Sequence, residues 1–173
     1  MLKRFLPDAY AKDIYTVNYK KLKDNGIKCI LIDVDNTITP ARDSVFYEEL
    51  KKLFNKLKKD FKVILFSNNF PKRVNKFGEY YGVDTACVSL KPFSYKYKLI
   101  LRKYGYKPGE VAAIGDQLLT DIQGGNKVRI TTILVEPVSE LDERETYLSR
   151  KIEREILKVF KKKNYLKKGR YYD

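Results

Sequence analysis

The chain has 173 residues, of which 43% are hydrophobic and 34% are charged, a composition typical of a folded single-domain protein rather than a disordered one. It contains no histidine, which excludes Ser-His-Asp and Cys-His catalysis as well as a His-ligated zinc site. The formal charge of +14 favours anionic partners, such as a phosphorylated molecule, nucleic acid or an anionic lipid surface.

The N-terminal segment, MLKRFLPDAYAKD, lacks a continuous apolar run because Pro7, Asp8 and Lys12 interrupt it. No stretch of the chain approaches the roughly 20 apolar residues of a membrane-spanning helix. We therefore expect a cytoplasmic protein without a signal peptide. Cys29 and Cys87 lie far apart in apolar runs and are expected to be buried, unpaired thiols.

Apolar strands and amphipathic helices alternate along the chain. The predicted strands cover residues 27–33, 61–67, 83–88, 111–116 and 130–135. The predicted helices cover residues 45–59 with Ser44 as cap, Pro71 to Gly82, 94–104, and a short segment that ends near Gly124 and Gly125. Because the strands are apolar throughout, the pattern favours a parallel sheet with helices on both faces.

Residues 1–173 are expected to form one domain. Its core would span about residues 27–135, followed by a basic C-terminal helix and tail over about 139–173. One face of that helix is predicted to pack on the core, and its members are Leu148, Ile152, Ile156, Val159 and Phe160. The chain after Phe160 is expected to be frayed or peripheral. From Arg150 to Asp173 there are ten Lys or Arg and three Asp or Glu, half of the total charge.

Polar residues follow the first predicted strand. Asp33 ends it, and Asp35 and Thr37 come directly after. Two carboxylates so close together repel each other and lose water on burial, and a divalent cation such as Mg²⁺ would offset both effects. On its own the D-x-D-x-T pattern is weak, because a solvated turn produces it as well.

Polar residues also follow three further predicted strands. Ser67 and Asn68 follow the second strand and could either cradle a phosphate or cap a helix. Lys91 follows the third strand and could neutralise phosphoryl charge, although most lysines in so basic a chain are surface residues. Asp116 follows the fourth, with Asp121 about one helical turn later, where capping is the ordinary role. Four such groups at successive strand ends indicate one shared site.

With these residues in order, the chain resembles the haloacid dehalogenase (HAD) superfamily, whose four motifs match DVDNT, Ser67, Lys91 and GDQLLTD. The leader LKRFLPD, the SNN after strand 2 and GDQLLTD further resemble the YqeG-like phosphatases of subclass IIIA. That group is related to the mitochondrial phosphatidylglycerophosphate phosphatases of fungi and plants. The resemblance implies a Rossmann-like three-layer α/β sandwich with a five-stranded parallel sheet. The gaps between the motifs are too short for a cap domain.

The resemblance implies a magnesium-dependent phosphatase that forms an aspartyl-phosphate intermediate. Asp33 would be the nucleophile and Asp35 the general acid/base. Asp33, the main-chain carbonyl of Asp35 and Asp116 would hold Mg²⁺. An Asp at position 35 favours fast hydrolysis of the phosphoenzyme, because relatives that keep the phosphoenzyme longer carry Thr there.

The remaining motif residues would bind the phosphoryl group or support the site. Ser67, the amide of Asn68 and Lys91 would hold the phosphoryl oxygens as negative charge builds on them. Thr37 would fix the loop after the first strand. Asp121 would orient Lys91 or a metal-bound water.

A site without a cap admits a bulky phosphorylated substrate, such as phosphatidylglycerophosphate at an anionic membrane surface. The basic C-terminus would then hold the enzyme peripherally on the membrane. A phosphatase acting on nucleic-acid ends is favoured less, because the tyrosines form no recognisable stacking module. A non-enzymatic phospho-binding protein is the other alternative, and the presence of both Asp35 and Asp116 counts against it. The sequence leaves the oligomeric state open.

Overall fold

The computed structural model describes residues 2–41, 43–139 and 147–173. Its centre is a parallel sheet of six strands in the order β1-β6-β5-β2-β3-β4. The strands are β1 (Ala9–Ala11), β2 (Cys29–Ile32), β3 (Lys62–Phe66), β4 (Asp84–Ala86), β5 (Val111–Gly115) and β6 (Thr131–Val135). Strands β2 and β5 are buried along their whole length, which explains their uninterrupted apolar sequences.

Helices cover both faces of the sheet. They are α1 (Tyr19–Asp24), α2 (Glu48–Leu57), α3 (Pro71–Tyr81), α4 (Ser94–Tyr104), α5 (Gln123–Val128) and α6 (Tyr147–Lys162). Consecutive residues of β2 point to opposite faces of the sheet. Ile30 belongs to the apolar cluster that contains Phe54 of α2 and Phe77 of α3, whereas Leu31 belongs to the cluster that contains Tyr97 of α4. The predicted three-layer α/β fold is confirmed.

The sheet has one strand more than the five predicted. Strand β1 pairs with β6, with Ala9 opposite Ile133, and the side chain of Asp8 accepts from Thr132 N at 2.8 Å. Its three residues, Ala-Tyr-Ala, are too few to form a hydrophobic period. The strand therefore depends on tertiary pairing along the edge of the sheet.

Two local predictions about helix ends are wrong. Helix α2 begins after Tyr47 without a side-chain cap, so Ser44 is not its cap. Gly124 and Gly125 lie inside α5 rather than at a helix end. Both glycines permit close packing, because an added Cβ would lie 2.8 Å from the ring of Tyr97 or 2.4 Å from the methyl group of Thr132. In contrast, the predicted end of α3 is confirmed, with a left-handed residue at position 82.

Helix α6 packs on the core through a different face from the one predicted. The helix is predicted to start at about residue 139. Residues 140–146 lie outside the described part of the chain, and the described helix covers Tyr147–Lys162. Ile156 and Phe160 are buried as predicted, but the other three predicted members of the face are exposed, and these are Leu148, Ile152 and Val159. The buried face instead contains Glu153, whose carboxylate has partners in the backbone N–H of Leu119 and the side chain of Arg150.

The chain after α6 packs against β1 rather than fraying. Tyr10 and Tyr172 exchange backbone hydrogen bonds of 2.7 and 2.8 Å, and Leu166 is buried. The expectation of a frayed end is therefore wrong. Among the described residues, no helix is both long enough and apolar enough to cross a membrane.

Candidate active site

The site lies where the carboxyl ends of the parallel strands meet. Ile32 of β2 is level with Leu65 of β3 on one side and Ile114 of β5 on the other. The next residues along each strand leave the sheet side by side. This register brings Asp33 close to Asp116, although 82 residues separate the two in sequence.

Lys91 forms the centre of the site. Its Nζ lies 2.5 Å from Asp33 Oδ1 and 2.7 Å from Asp121 Oδ1, and it donates to the carbonyl of Phe66 at 2.9 Å. Burial lowers the pKa of Lys91, but the carboxylates of Asp121 and Asp33 more than offset this and raise the pKa above its ordinary value. The lysine therefore remains a buried cation between two carboxylates.

Three carboxylates converge around this lysine. Oxygen atoms of Asp33, Asp116 and Asp121 lie within 4.8 Å of one another, and all three residues are buried. Burial raises the pKa of Asp33 well above its usual range; Lys91 opposes this shift, and the neighbouring carboxylates add to it. Burial likewise raises the pKa of Asp116 to about 6 against the opposing effect of Arg150. The excess of negative charge and the hard oxygen donors fit a divalent cation such as Mg²⁺.

Asp121 is held in place as a partner of Lys91. Its Oδ1 accepts from Lys91, while its Oδ2 accepts from Gln117 N and from Thr120 Oγ1, each at 3.2 Å. Gly115 leaves space for it, because an added Cβ there would lie 2.2 Å from Asp121 Cγ. Both oxygens of Asp121 therefore have donors, and one of these donors is the lysine that also contacts Asp33.

Asp116 is anchored from two sides. Thr37 Oγ1 donates to its Oδ1 at 3.4 Å, which places the hydroxyl at the carboxylate cluster. From the other side, Arg150 of α6 pairs with Oδ2 of Asp116 and donates to its main-chain carbonyl at 3.3 Å. The carboxylate thus has a fixed orientation at the end of β5.

Ser67 and Asn68 lie in the loop after β3. Ser67 is buried, and its Oγ accepts from Asn69 N at 3.1 Å. The side chain of Asn68 joins this loop to the one that carries Lys91, because its Oδ1 accepts from Lys91 N at 2.8 Å and from Ser89 Oγ at 2.6 Å. The two loops therefore form one connected wall of the site.

The carboxylate of Asp35 lies beside the cluster rather than within it. Its Oδ2 accepts from Asn69 Nδ2 at 2.8 Å, and its Oδ1 lies 2.7 Å from Arg73 Nη1. Sequence analysis did not single out Arg73, although its position in the first turn of a helix that starts at the site is a usable signal. Ligation of a metal by the main-chain carbonyl of Asp35 stays a prediction.

Two charged residues of α6 also reach the site, and sequence analysis missed both. Glu153 accepts from Leu119 N at 2.9 Å and lies 3.2 Å from Arg150, which itself contacts Asp116. Burial raises the pKa of Glu153 to about 7, with the hydrogen bond from Leu119 and the charge of Arg150 opposing the shift. No local pattern distinguishes these residues from the many charged ones around them.

Comparison with known families gives two matches. The model of haloacid dehalogenase-like hydrolases matches residues 41–129, and the model of mitochondrial PGP phosphatases matches residues 2–78. The first match covers the loops after β3, β4 and β5, and the second covers those after β2 and β3.

Two relatives and one solved structure extend this likeness. The chain is 36% identical to the probable phosphatase YqeG of Bacillus subtilis, over 96% of this chain and 98% of that protein. It is 25% identical to phosphatidylglycerophosphate phosphatase 1 of Arabidopsis thaliana, over 95% of this chain but only 49% of the plant protein. The crystal structure of 3-deoxy-D-manno-octulosonate 8-phosphate phosphatase from Moraxella catarrhalis, which contains a magnesium and a phosphate ion, is 15% identical. It superposes with a TM-score of 0.50 over 81% of this chain and 92% of that one.

Proposed function

Because the chain is a phosphatase that belongs to the haloacid dehalogenase-like hydrolase family, we propose that it hydrolyses phosphomonoesters with Mg²⁺ through a phosphorylated Asp33. The observation that carries this proposal is the contact of Lys91 Nζ with Asp33, in a buried cluster that also contains Asp116. A nucleophilic carboxylate must be ionised, and a fixed lysine cation beside it favours the ionised form.

In the first half-reaction, an oxygen of Asp33 forms a bond to phosphorus as the bond to the leaving alkoxide breaks. Asp35 gives its proton to that alkoxide. Negative charge grows on the phosphoryl oxygens, and Ser67, the amide of Asn68 and Lys91 stabilise it. The buried position of Ser67 and Lys91 supports this role, because charge stabilisation is stronger where water is excluded.

In the second half-reaction, water attacks the same phosphorus atom. Asp35 takes a proton from the water, the bond between phosphorus and Asp33 breaks, and phosphate is released. Asn69 and Arg73 hold the carboxylate of Asp35 at the edge of the cluster, where it can exchange protons with solvent.

A magnesium ion would be held by Asp33, Asp116 and the main-chain carbonyl of Asp35. When bound, it would neutralise charge on the nucleophile and on the phosphoryl oxygens. The raised pKa of Asp33 and of Asp116 supports the proposal, since the three buried carboxylates outnumber Lys91 and Arg150, the cations beside them, and a divalent cation would offset the remaining charge. Asp121 would keep Lys91 in position.

The test of the reaction is the Asp33→Asn variant. An amide cannot attack phosphorus, so we expect turnover of a soluble phosphomonoester such as para-nitrophenyl phosphate to fall by at least about a thousandfold. The thermal transition should persist, because the amide keeps the shape of the side chain. Near-normal turnover by purified, folded Asp33→Asn protein would refute the mechanism.

We further propose that the physiological substrate is a phosphorylated lipid headgroup, such as phosphatidylglycerophosphate. Support comes from the likeness to the Arabidopsis phosphatase and from the charge of +14, which favours an anionic surface. In addition, the described residues between β2 and β3 and between β3 and β4 form only α2, α3 and short loops, so these segments contain no cap over the site.

The substrate is tested by comparing lipid and soluble phosphomonoesters in anionic mixed micelles. We expect a higher kcat/KM for the lipid phosphate, because it is concentrated at the surface to which the enzyme is drawn. Much faster cleavage of soluble metabolites, or of phosphorylated nucleic-acid ends, would refute the lipid proposal while leaving the phosphatase reaction intact.

A further inference from the structure

Three large apolar side chains are exposed around the entrance to the candidate active site. Phe70, Leu90 and Phe93 are 74%, 54% and 67% exposed, respectively. The first follows Ser67 by three residues, and the other two flank Lys91 in sequence. We call Phe70, Leu90 and Phe93 the apolar rim. A local group of exposed apolar side chains is typical of an interaction surface.

The apolar rim is one connected surface, because its two loops are hydrogen-bonded to each other. Val88 N donates to the carbonyl of Asn69 at 2.9 Å. Asn68 Oδ1 accepts from Lys91 N and Ser89 Oγ. Both loops also end in helices that pack on the sheet, so the rim sits on a rigid base.

The backbone of the second loop adopts an unfavourable conformation. Val88 and Leu90 have φ angles of +47° and +55°. Bulky and β-branched residues rarely occupy this left-handed region, and residues that do are concentrated at functional sites. Leu90 is therefore held in an uncommon conformation with its side chain in water. A partner that contacts this side chain would remove its apolar surface from water.

The charge around the rim indicates which partner fits. Lys72 and Lys96 lie in the first turns of α3 and α4, shortly after Phe70 and Phe93, and Lys72 is exposed. In addition, Lys127 Nζ donates to the carbonyl of Pro92 at 3.2 Å and lies 6.0 Å from the ring centroid of Phe93. Exposed aromatic side chains among lysines match an anionic lipid surface, where rings enter the headgroup layer and lysines contact phosphates.

We propose that the apolar rim docks the protein on an anionic lipid bilayer, with its three side chains inserted among the headgroups. Because the two loops of the rim also carry Ser67 and Lys91, docking presents Asp33 to phosphate groups at the bilayer surface. This inference rests on the lipid substrate proposed above and adds the surface by which the enzyme reaches it.

A second basic and apolar surface is available on α6. Its outer face exposes Leu148, Ile152 and Val159 among lysines. The acidic side chain of Glu155 lies between the last two of these in sequence and pairs with Lys158 at 2.7 Å, whereas Lys127 beside Phe93 contacts a backbone carbonyl. The rim is therefore the better match to an anionic surface, and α6 serves as the comparison in the test.

The test is cosedimentation with phosphatidylglycerol vesicles, using the double variant Phe70→Ser with Phe93→Ser. Both residues are the N-caps of their helices and have extended backbone conformations, so serine suits both positions and the fold should be retained. We expect at least about tenfold weaker vesicle binding, because binding strength scales with the apolar area inserted. Ile152→Ser and Tyr165→Ser, which alter exposed apolar residues away from the rim, should bind like the unaltered protein.

Three results with vesicles would overturn the proposal. These are binding unaffected by the double variant, binding lost in Ile152→Ser alone, and equal binding of the unaltered protein to phosphatidylcholine and phosphatidylglycerol vesicles. Binding to polynucleotides but to neither type of vesicle would also overturn it. Hydrolysis of para-nitrophenyl phosphate should be unchanged in the double variant. Vesicle binding does not require turnover, so the docking surface and the phosphatase reaction can fail separately.

Discussion

Lys91 lies between Asp33 and Asp121 and neutralises part of the negative charge of the carboxylate cluster. The Nζ of Lys91 lies 2.5 Å from Asp33 Oδ1 and 2.7 Å from Asp121 Oδ1. Asp116 instead forms an ion pair with Arg150 of α6. Removing one member of such a network leaves a buried charge without a partner, which is strongly destabilising. Variants at this site therefore need a measurement of folding beside each measurement of activity.

In the proposed mechanism, the second half-reaction depends most directly on Asp35. In Asp35→Asn the amide cannot take a proton from water, so we expect turnover to fall by about a hundredfold or more and a phosphoenzyme to accumulate. Intact-protein mass spectrometry after mixing with substrate measures this. Asp43→Asn, which alters an exposed carboxylate farther along the same loop, is the matched control and should turn over normally. Equal rates in the two variants would contradict the role of Asp35.

Glu153 is expected to make stability depend on pH. Burial raises its pKa from 4.5 to about 7, so its contribution to stability is complete below pH 4.5 and is lost as the pH rises through about 7. Glu153→Gln keeps the acceptor for Leu119 N and removes the charge. The free energy of unfolding should therefore fall less steeply between pH 5 and pH 8 in this variant than in the unaltered protein.

The matched control for this pH dependence is Glu155→Gln, since Glu155 lies two residues along the same helix and is largely exposed. Its pH profile should follow that of the unaltered protein. Identical slopes for Glu153→Gln and Glu155→Gln would mean that the buried carboxyl is not titrating in this range.

At the scale of elements, α6 connects the C-terminal part of the chain to the site. Phe160 is buried at one end of the helix, and Arg150 contacts Asp116 near the other. The end of the chain also pairs with β1, since Tyr172 bonds to Tyr10. Loosening α6 should therefore affect catalysis as well as stability.

The variant Phe160→Ala tests that connection. Truncating a buried Phe costs about 3–5 kcal/mol. We expect the free energy of unfolding to fall by that amount and kcat to fall as well, because Arg150 would hold Asp116 less firmly. Denaturant unfolding and steady-state kinetics measure the two effects. Val159→Ala alters the adjacent, partly exposed residue and should cost less than about 0.5 kcal/mol. Comparable losses in both variants would contradict the packing described for α6.

The predicted elements that matched best are those with local start and stop signals. Helix α3 begins at Pro71 and ends before Gly82, and α4 ends before Gly105, as the sequence predicts. Predictions were wrong where tertiary contacts decide the outcome. The edge strand β1 exists through pairing with β6, and Gly125 serves close packing against Thr132 rather than a helix end.

At the scale of the whole molecule, the site combines residues from four loops and α6, so a bound cation should stabilise the complete fold. At a Mg²⁺ concentration about 100 times Kd, the expected gain is about 2.7 kcal/mol, or roughly 5–10 °C in Tm for a chain of this size. Thermal unfolding with Mg²⁺ and with EDTA measures the shift, and activity should be lost in EDTA and restored by Mg²⁺. If Mg²⁺ raised the Tm of Asp116→Asn as much as that of the unaltered protein, the cation would bind at a different site.

The sequence alone determined the parallel α/β architecture and the strand ends at which Asp33, Ser67, Lys91 and Asp116 lie. These features follow from local patterns, namely apolar runs, helix periods and Gly or Pro boundaries, together with a family resemblance. The carboxyl ends of parallel strands meet at one edge, so chain order was enough to indicate a common site.

Only the tertiary structure decided the contacts around that site. Asp35 lies beside Asn69 and Arg73 rather than within the carboxylate cluster, and Arg150 pairs with a residue 34 positions earlier in the chain. Such contacts depend on how α3 and α6 pack on the sheet, and one basic side chain among 36 carries no local sign of its partner. Packing, rather than local sequence pattern, selects which charges become buried and paired.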